Sequence, residues 1–131
     1  MIAFDTNLLV RFFAQDDAAQ CRRADEFMRA VSLANPAWVS LPVLLELVWV
    51  LTGSYRLGRL EMARILDNLL DREEFRIEQI DTVHDALARY RRGKADFGDC
   101  LIAASARAAG CARTVTFDGV AARDAGMELI G

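Results

Sequence analysis

The chain has 131 residues, 53% of them hydrophobic and 27% charged, with 16 basic against 19 acidic side chains. This composition excludes collagen-like, disordered and disulfide-scaffold classes, and the length suits one ordinary domain, residues 1–131, with a core that needs no staples. A net charge of −3 argues against a domain that holds nucleic acid by bulk positive potential, though not against an enzyme that cuts it.

Ile2 to Asp5 reads as a buried strand that ends in Asp-Thr-Asn, a turn or cap signal. Ala18, Cys21, Ala24, Phe27, Met28 and Val31 recur at helical spacing and predict a helix within 17–33. Ala37 to Val39 is the next strand. Ser40 can cap a helix that tolerates Pro42 in its first turn and runs to about Tyr55; it is apolar nearly all round and is expected to be buried. Residues 59–70 form an amphipathic helix with Leu60, Ala63, Leu66, Leu69 and Leu70 on one side. Residues 75–80 alternate as a strand does. Asp81 or Thr82 caps a helix to about Arg92, which Gly93 breaks; a second helix opens near Asp96 and stops at Gly110. A β-branched strand over 113–117, a short helix over 120–124 and a strand over 128–130 close the chain. Strands separated throughout by helices imply a parallel, helix-covered α/β sheet.

The longest apolar stretch, Leu41 to Leu51, contains Pro42 and Glu46 and falls short of the roughly 20 residues that a membrane span requires. The opening residues lack the charged and apolar regions of a secretory signal, so the expected location is the cytoplasm. Cys21, Cys100 and Cys111 show no paired spacing and are expected to be reduced core thiols. Trp38, Trp49, Phe12 and Phe13 are read as core rather than as base-stacking platforms.

The informative residues are acids in apolar surroundings. Asp5 and Asp118 end strands, Glu46 interrupts an apolar helix, and Asp99 is flanked by Gly98, Cys100, Leu101 and Ile102. Isolated carboxylates are costly to desolvate there. Strand ends and the first turns of the following helices share one edge of an open parallel sheet, so the four acids can converge. Two carboxylates about 4 Å apart repel by roughly 4 kcal/mol at an effective dielectric near 20, and a cluster of four requires a counter-charge. Oxygen ligands without histidine or thiolate suit Mg²⁺ or Mn²⁺. The lone His84 lies in a different segment, which leaves Ser-His-Asp and Cys-His mechanisms without support. Metal-assisted hydrolysis of a phosphate ester remains.

Local roles compete with this reading. Asp5 can cap a helix beginning near Leu8, Asp96 can cap the helix that contains Asp99, and Asp118-Gly119 is an ordinary turn pair. Glu46 has no partner nearby in sequence. The basic run Arg89, Arg91, Arg92 and Lys94 complements a helix C-terminus, or contacts a phosphate backbone beside the metal. All but one of the basic side chains are Arg, whose planar fork pairs bidentately with phosphate.

Asp5-Thr6-Asn7, Glu46 in its apolar helix, the segment Ala95-Asp96-Phe97-Gly98-Asp99-Cys100-Leu101-Ile102-Ala103-Ala104, and Thr114-Val115-Thr116-Phe117-Asp118 together resemble PIN-domain ribonucleases, in particular VapC-type toxins of toxin-antitoxin pairs. The resemblance spans the whole chain. It implies an α/β/α sandwich with a central parallel sheet of about five strands, Mg²⁺- or Mn²⁺-dependent endoribonuclease activity, a homodimer and inhibition by a small antitoxin protein. By position, Asp5, Glu46, Asp99 and Asp118 match the acidic quartet, with Asp96 an accessory acid and Thr6 or Thr116 supporting hydroxyls. After Asp118 the chain reads Gly119-Val120-Ala121-Ala122 and lacks the aromatic residue common there in the family. Two rivals are a catalytically idle partner-binding module, and a phosphoacceptor receiver domain, which requires a late lysine where this chain has only Lys94.

Overall fold

The computed structural model describes all residues, Met1–Gly131, in two compact units, Met1–Glu78 and Gln79–Gly131. In the first unit a parallel sheet is built from β1 (Ile2–Ala3), β2 (Ala37–Val39) and β3 (Phe75–Ile77), in that order. Its register pairs Ile2 with Ala37 and Ala3 with Trp38 on one side of β2, and Ala37, Trp38 and Val39 with Phe75, Arg76 and Ile77 on the other. Helices α1 (Thr6–Ala14) and α2 (Ala18–Ala30) connect β1 to β2; α3 (Leu41–Gly53) and α4 (Arg59–Asp71) connect β2 to β3. Each crossover is long enough to return the chain in the same direction, as parallel pairing requires.

Capping explains where these helices start. The Asp17 side chain accepts from the Gln20 amide at the head of α2, and Ser40 accepts from the Val43 amide at the head of α3. Leu44, Leu47, Val48 and Leu51 form the buried stripe of α3, and Met62, Ala63, Leu66, Leu69 and Leu70 that of α4. Each of the fully buried leucines removes enough apolar surface from water to stabilise the unit by about 1.5–3 kcal/mol. Phe4 meets Phe75 edge-on, with ring centroids 5.9 Å apart.

The second unit holds α5 (Ile80–Arg92), α6 (Phe97–Ala108), β4 (Val115–Thr116), α7 (Gly119–Asp124) and β5 (Glu128–Leu129). Helices α5 and α6 pack together, with Val83, Leu87, Phe97 and Cys100 buried and Tyr90 edge-on to Phe97 at 5.7 Å. The strands β4 and β5 pair in parallel, Val115 with Glu128 and Thr116 with Leu129, and α7 is their crossover. All five expected strands therefore occur and all pair in parallel, but hydrogen bonding groups them as three and two.

Several expectations about burial need correction. Helix α3 is not buried all round: Trp49 is 77% exposed and Leu45 lies beside it on the outer face. The near-continuous apolar run concealed which face packs. Leu60 is 68% exposed, and Met62 occupies the core position assigned to it, because the helical phase of α4 follows Met62, Ala63, Leu66 and Leu70. In β1 only the following Phe4 is buried, since β1 pairs on one side alone within its sheet. Cys21 and Cys100 are buried thiols as expected, whereas Cys111, in the turn after α6, is exposed. No helix is long and apolar enough to cross a membrane.

Candidate functional site

The acidic residues fall into two groups, each within one unit. In the first, the Phe4 amide donates to the Trp38 carbonyl at 2.9 Å and closes the β1–β2 ladder immediately before Asp5. Asp5 is thereby the N-cap of α1. Its Oδ1 accepts from the Thr6 amide at 2.7 Å, leaving Oδ2 for other work. Cap and site roles are compatible here, since a carboxylate has two oxygens and the cap uses one.

The packing of α1 against α3 brings Glu46 to this point. Thr6 is 8% exposed, and its Oγ1 donates to Glu46 Oε1 at 3.2 Å. The hydroxyl thus restrains a carboxylate 40 positions away in sequence. Asp5, Thr6 and Glu46 line a groove of about 410 Å³ that Arg11 and Tyr55 also line. Arg11 is held by hydrogen bonds to Asp16, Tyr55 and Gln20, and Tyr55 donates to Asp16. That Tyr55 hydrogen bond holds the Asp16 carboxyl below the ordinary range. The network was not anticipated from sequence, because a tyrosine after a helix and an aspartate in a loop carry no local signal of pairing.

The second group lies at the N-terminal turns of α6 and α7. Asp96 is the N-cap of α6 through its backbone, whose carbonyl accepts from the Cys100 amide at 3.1 Å, but its side chain makes no capping bond. The cap expected of its carboxylate is therefore absent, and that group is left exposed. Asp99, one turn on, is half-buried. Burial pushes its carboxyl pKa up, and the charges of Asp96 and Asp118 push it in the same direction. Asp118 caps α7: its Oδ1 accepts from the Val120 and Ala121 amides at 2.9 and 3.3 Å, and its own amide donates to Thr116 Oγ1 at 3.0 Å. Thr116 therefore positions the turn that presents Asp118.

The donor set is oxygen alone: carboxylates, with Thr6 and Thr116 hydroxyls behind them. That chemistry fits a hard divalent cation, and the upward shift at Asp99 marks a place where added positive charge is favourable. In neither unit do three or more acidic, histidine or cysteine side chains enclose an ion by themselves. Mg²⁺ accommodates this, since it keeps several waters and is commonly bound through one or two carboxylates.

The basic run divides on folding. Arg89 and Arg92 line a cavity with Gly93, Arg123 and Asp124, whereas Lys94 engages it only through its backbone amide, which donates to Asp124 Oδ2 at 2.9 Å. Arg91 is exposed and does not line that cavity. Arg123, which carries no signal in the sequence, joins the run because α7 packs on α5. His84 is exposed on α5.

Comparison with known proteins adds two findings. The family profile described as the PIN domain matches residues 2–126, which covers residues of both units. The chain is also 25% identical over 118 residues to the VapC ribonuclease of Aquifex aeolicus (strain VF5), covering 89% of this chain and 87% of that protein.

Proposed function

We propose, for a chain that belongs to the PIN-domain family, that this protein is a divalent-metal-dependent endoribonuclease and the toxin of a toxin-antitoxin pair. The observation that carries the proposal is the state of Asp99, a half-buried carboxylate whose charge is opposed by burial and by two further aspartates in a fold of this family. The similarity to a protein named VapC ribonuclease supports the choice of RNA as substrate.

Asp5, Glu46, Asp99 and Asp118 supply the carboxylates for Mg²⁺ or Mn²⁺, with Asp96 as an accessory acid. When bound, such a cation lowers the pKa of water and offsets charge that builds on the phosphate under attack. The chain's own residues prepare the geometry. Thr6 restrains Glu46, the α1 cap fixes Asp5 Oδ1, and the α7 amides together with Thr116 fix Asp118. Positioning by anchored oxygens reduces the reorganisation that the reaction would otherwise require. Arginines at the end of α5 neutralise the backbone of the RNA strand. An antitoxin partner, a homodimer and a cytoplasmic location complete the proposal.

Cleavage of a labelled single-stranded RNA is measured with Mg²⁺ or Mn²⁺ for the wild type, Asp5→Asn and Asp99→Asn. The wild type cuts and both variants lose at least about a hundredfold in rate, in keeping with removal of a group that stabilises developing charge. Full activity in either variant, or in excess EDTA, would refute the mechanism.

A further inference from the structure

The cavity at the C-terminal end of α5 is built in a way that the helix dipole alone does not explain. Arg89 and Arg92 stand on one face of α5 at i,i+3 spacing, α7 brings Arg123 to the same place, and the three surround a space of about 380 Å³. Neither Arg89 nor Arg92 makes an ion pair. Arg123 approaches Asp124, Nε to Oδ1 at 3.4 Å, so one of the three positive charges is balanced. The Lys94 amide and Arg123 both keep the Asp124 carboxyl ionised by lowering its pKa. Two guanidinium groups are left without a counter-ion.

Two glycines make the space. A Cβ on Gly93 would stand 2.7 Å from Asp124 Cβ, so a side chain there would displace the acid. A Cβ on Gly126 would stand 2.9 Å from both Cζ and Nη1 of Arg89, and Gly126 has φ +80°, a conformation that L-residues rarely adopt. The Arg89 guanidinium is thus seated against the Gly126 backbone with its side chain half-buried. Complementing the negative end of α5 would explain arginines in its last turn. It does not explain a third arginine arriving from α7, or backbone cleared to admit them.

We propose that Arg89, Arg92 and Arg123 form a phosphate subsite that takes a backbone phosphodiester of the RNA strand, away from the bond that is cut; this rests on the nuclease reading above. Guanidinium forks pair with phosphate oxygens by charge-assisted, bidentate hydrogen bonds. The placement favours a strand over a free anion. Asp118 and Arg123 lie at opposite ends of α7, about 8 Å apart along its axis at 1.5 Å per residue, so a strand presented to Asp118 can pass the cavity. The subsite narrows the basic run to Arg89 and Arg92, adds Arg123, and leaves out Arg91 and the Lys94 side chain.

The test is equilibrium binding of a labelled single-stranded RNA to the full chain in EDTA, where it is not cut, read by fluorescence anisotropy over a range of salt. Arg89→Gln/Arg92→Gln and, separately, the exposed Arg123→Gln weaken binding, the double variant by about tenfold or more. The dependence of log affinity on log salt becomes shallower by about 0.7 for each phosphate that is no longer neutralised. Arg22→Gln, which removes from the surface of α2 the same single charge that Arg123→Gln removes from the cavity, leaves affinity within twofold of wild type. Inorganic phosphate competes only weakly with the RNA. Wild-type affinity and salt slope in both cavity variants, with folding checked by circular dichroism, overturn the subsite and leave the nuclease reading standing if the wild type still cuts RNA with metal. Loss of inorganic phosphate binding without loss of RNA binding overturns it as well, since the cavity is then a free-anion site. So does an undiminished affinity for RNA combined with weakened binding of an acidic peptide. A wild type that neither binds nor cuts RNA sinks both proposals together.

Discussion

Replacing Asp99 by Asn separates the cost of the acidic cluster from its use. Asn keeps the shape of Asp and removes the charge that burial, Asp96 and Asp118 all oppose. A raised folded-state pKa means that the group favours folding below its unfolded pKa, and that this contribution is lost as pH rises through the folded value. At neutral pH the wild type therefore carries the full penalty and Asp99→Asn does not. Solvent screens charges around a part-exposed side chain, so the repulsion relieved amounts to about 1 kcal/mol. For a chain of this length that is a rise in Tm of about 4 °C in EDTA at pH 7. The gain shrinks as pH falls, because the wild-type carboxyl takes up its proton at a higher pH than an ordinary aspartate does. Millimolar Mg²⁺ or Mn²⁺ reverses the order, because an ion that binds only the folded wild type stabilises it by RT ln(1 + [L]/Kd), about 2.7 kcal/mol at a hundredfold excess over Kd. Differential scanning fluorimetry across pH, with and without metal, reads all of this. A variant that melts below the wild type in EDTA at neutral pH would show that Asp99 is a structural hydrogen-bonding group, and the electrostatic argument would fail.

Four other outcomes follow from the geometry. Thr6→Val removes the hydroxyl that restrains Glu46 and lowers the RNA cleavage rate by about tenfold, equivalent to one charge-assisted hydrogen bond, while Thr6→Ser retains most of the rate. Ser40→Ala removes the α3 cap and costs about 1 kcal/mol in urea melts with no change in cleavage. Leu66→Ala, at a position with no solvent exposure, costs about 2–5 kcal/mol, measured the same way. Tyr55→Phe takes away the hydrogen bond that depresses Asp16, so its carboxyl titrates at higher pH by NMR; since a depressed carboxyl stabilises the fold above its unfolded pKa, that contribution at neutral pH weakens with it.

Much of the fold and part of the candidate site are local in origin, and were legible for that reason. Ala37–Val39 is a strand over the residues expected, Ser40 caps the helix it precedes, and Gly93 ends α5. Apolar periodicity, cap chemistry and helix breakers act over a few residues, so one sequence suffices to read them. The identities of Asp5, Glu46, Asp99 and Asp118 as acids with apolar sequence neighbours were equally visible, but the desolvation inferred from those neighbours holds only in part, at half-buried Asp99. Asp5, Glu46 and Asp118 are exposed, because apolar neighbours along a helix or strand can face the other way.

Pairings between residues far apart along the chain were decided by packing alone. Nothing near Glu46 points to Thr6, 40 positions earlier, and nothing near Arg123 points to Arg89. Which face of α3 is buried was also undetermined, since a helix that is apolar on every side carries no phase information, and only docking against α1 and α4 leaves Trp49 outside. The oxygens left over after capping at Asp5 and Asp118, and the failure of Asp96 to cap with its side chain, depend on backbone angles at helix starts. Sequence alone therefore determined which residues bear charge and which segments coil. Tertiary structure decided which charges meet, because electrostatic and hydrogen-bond energies depend on distances of a few ångströms that no spacing along the chain encodes.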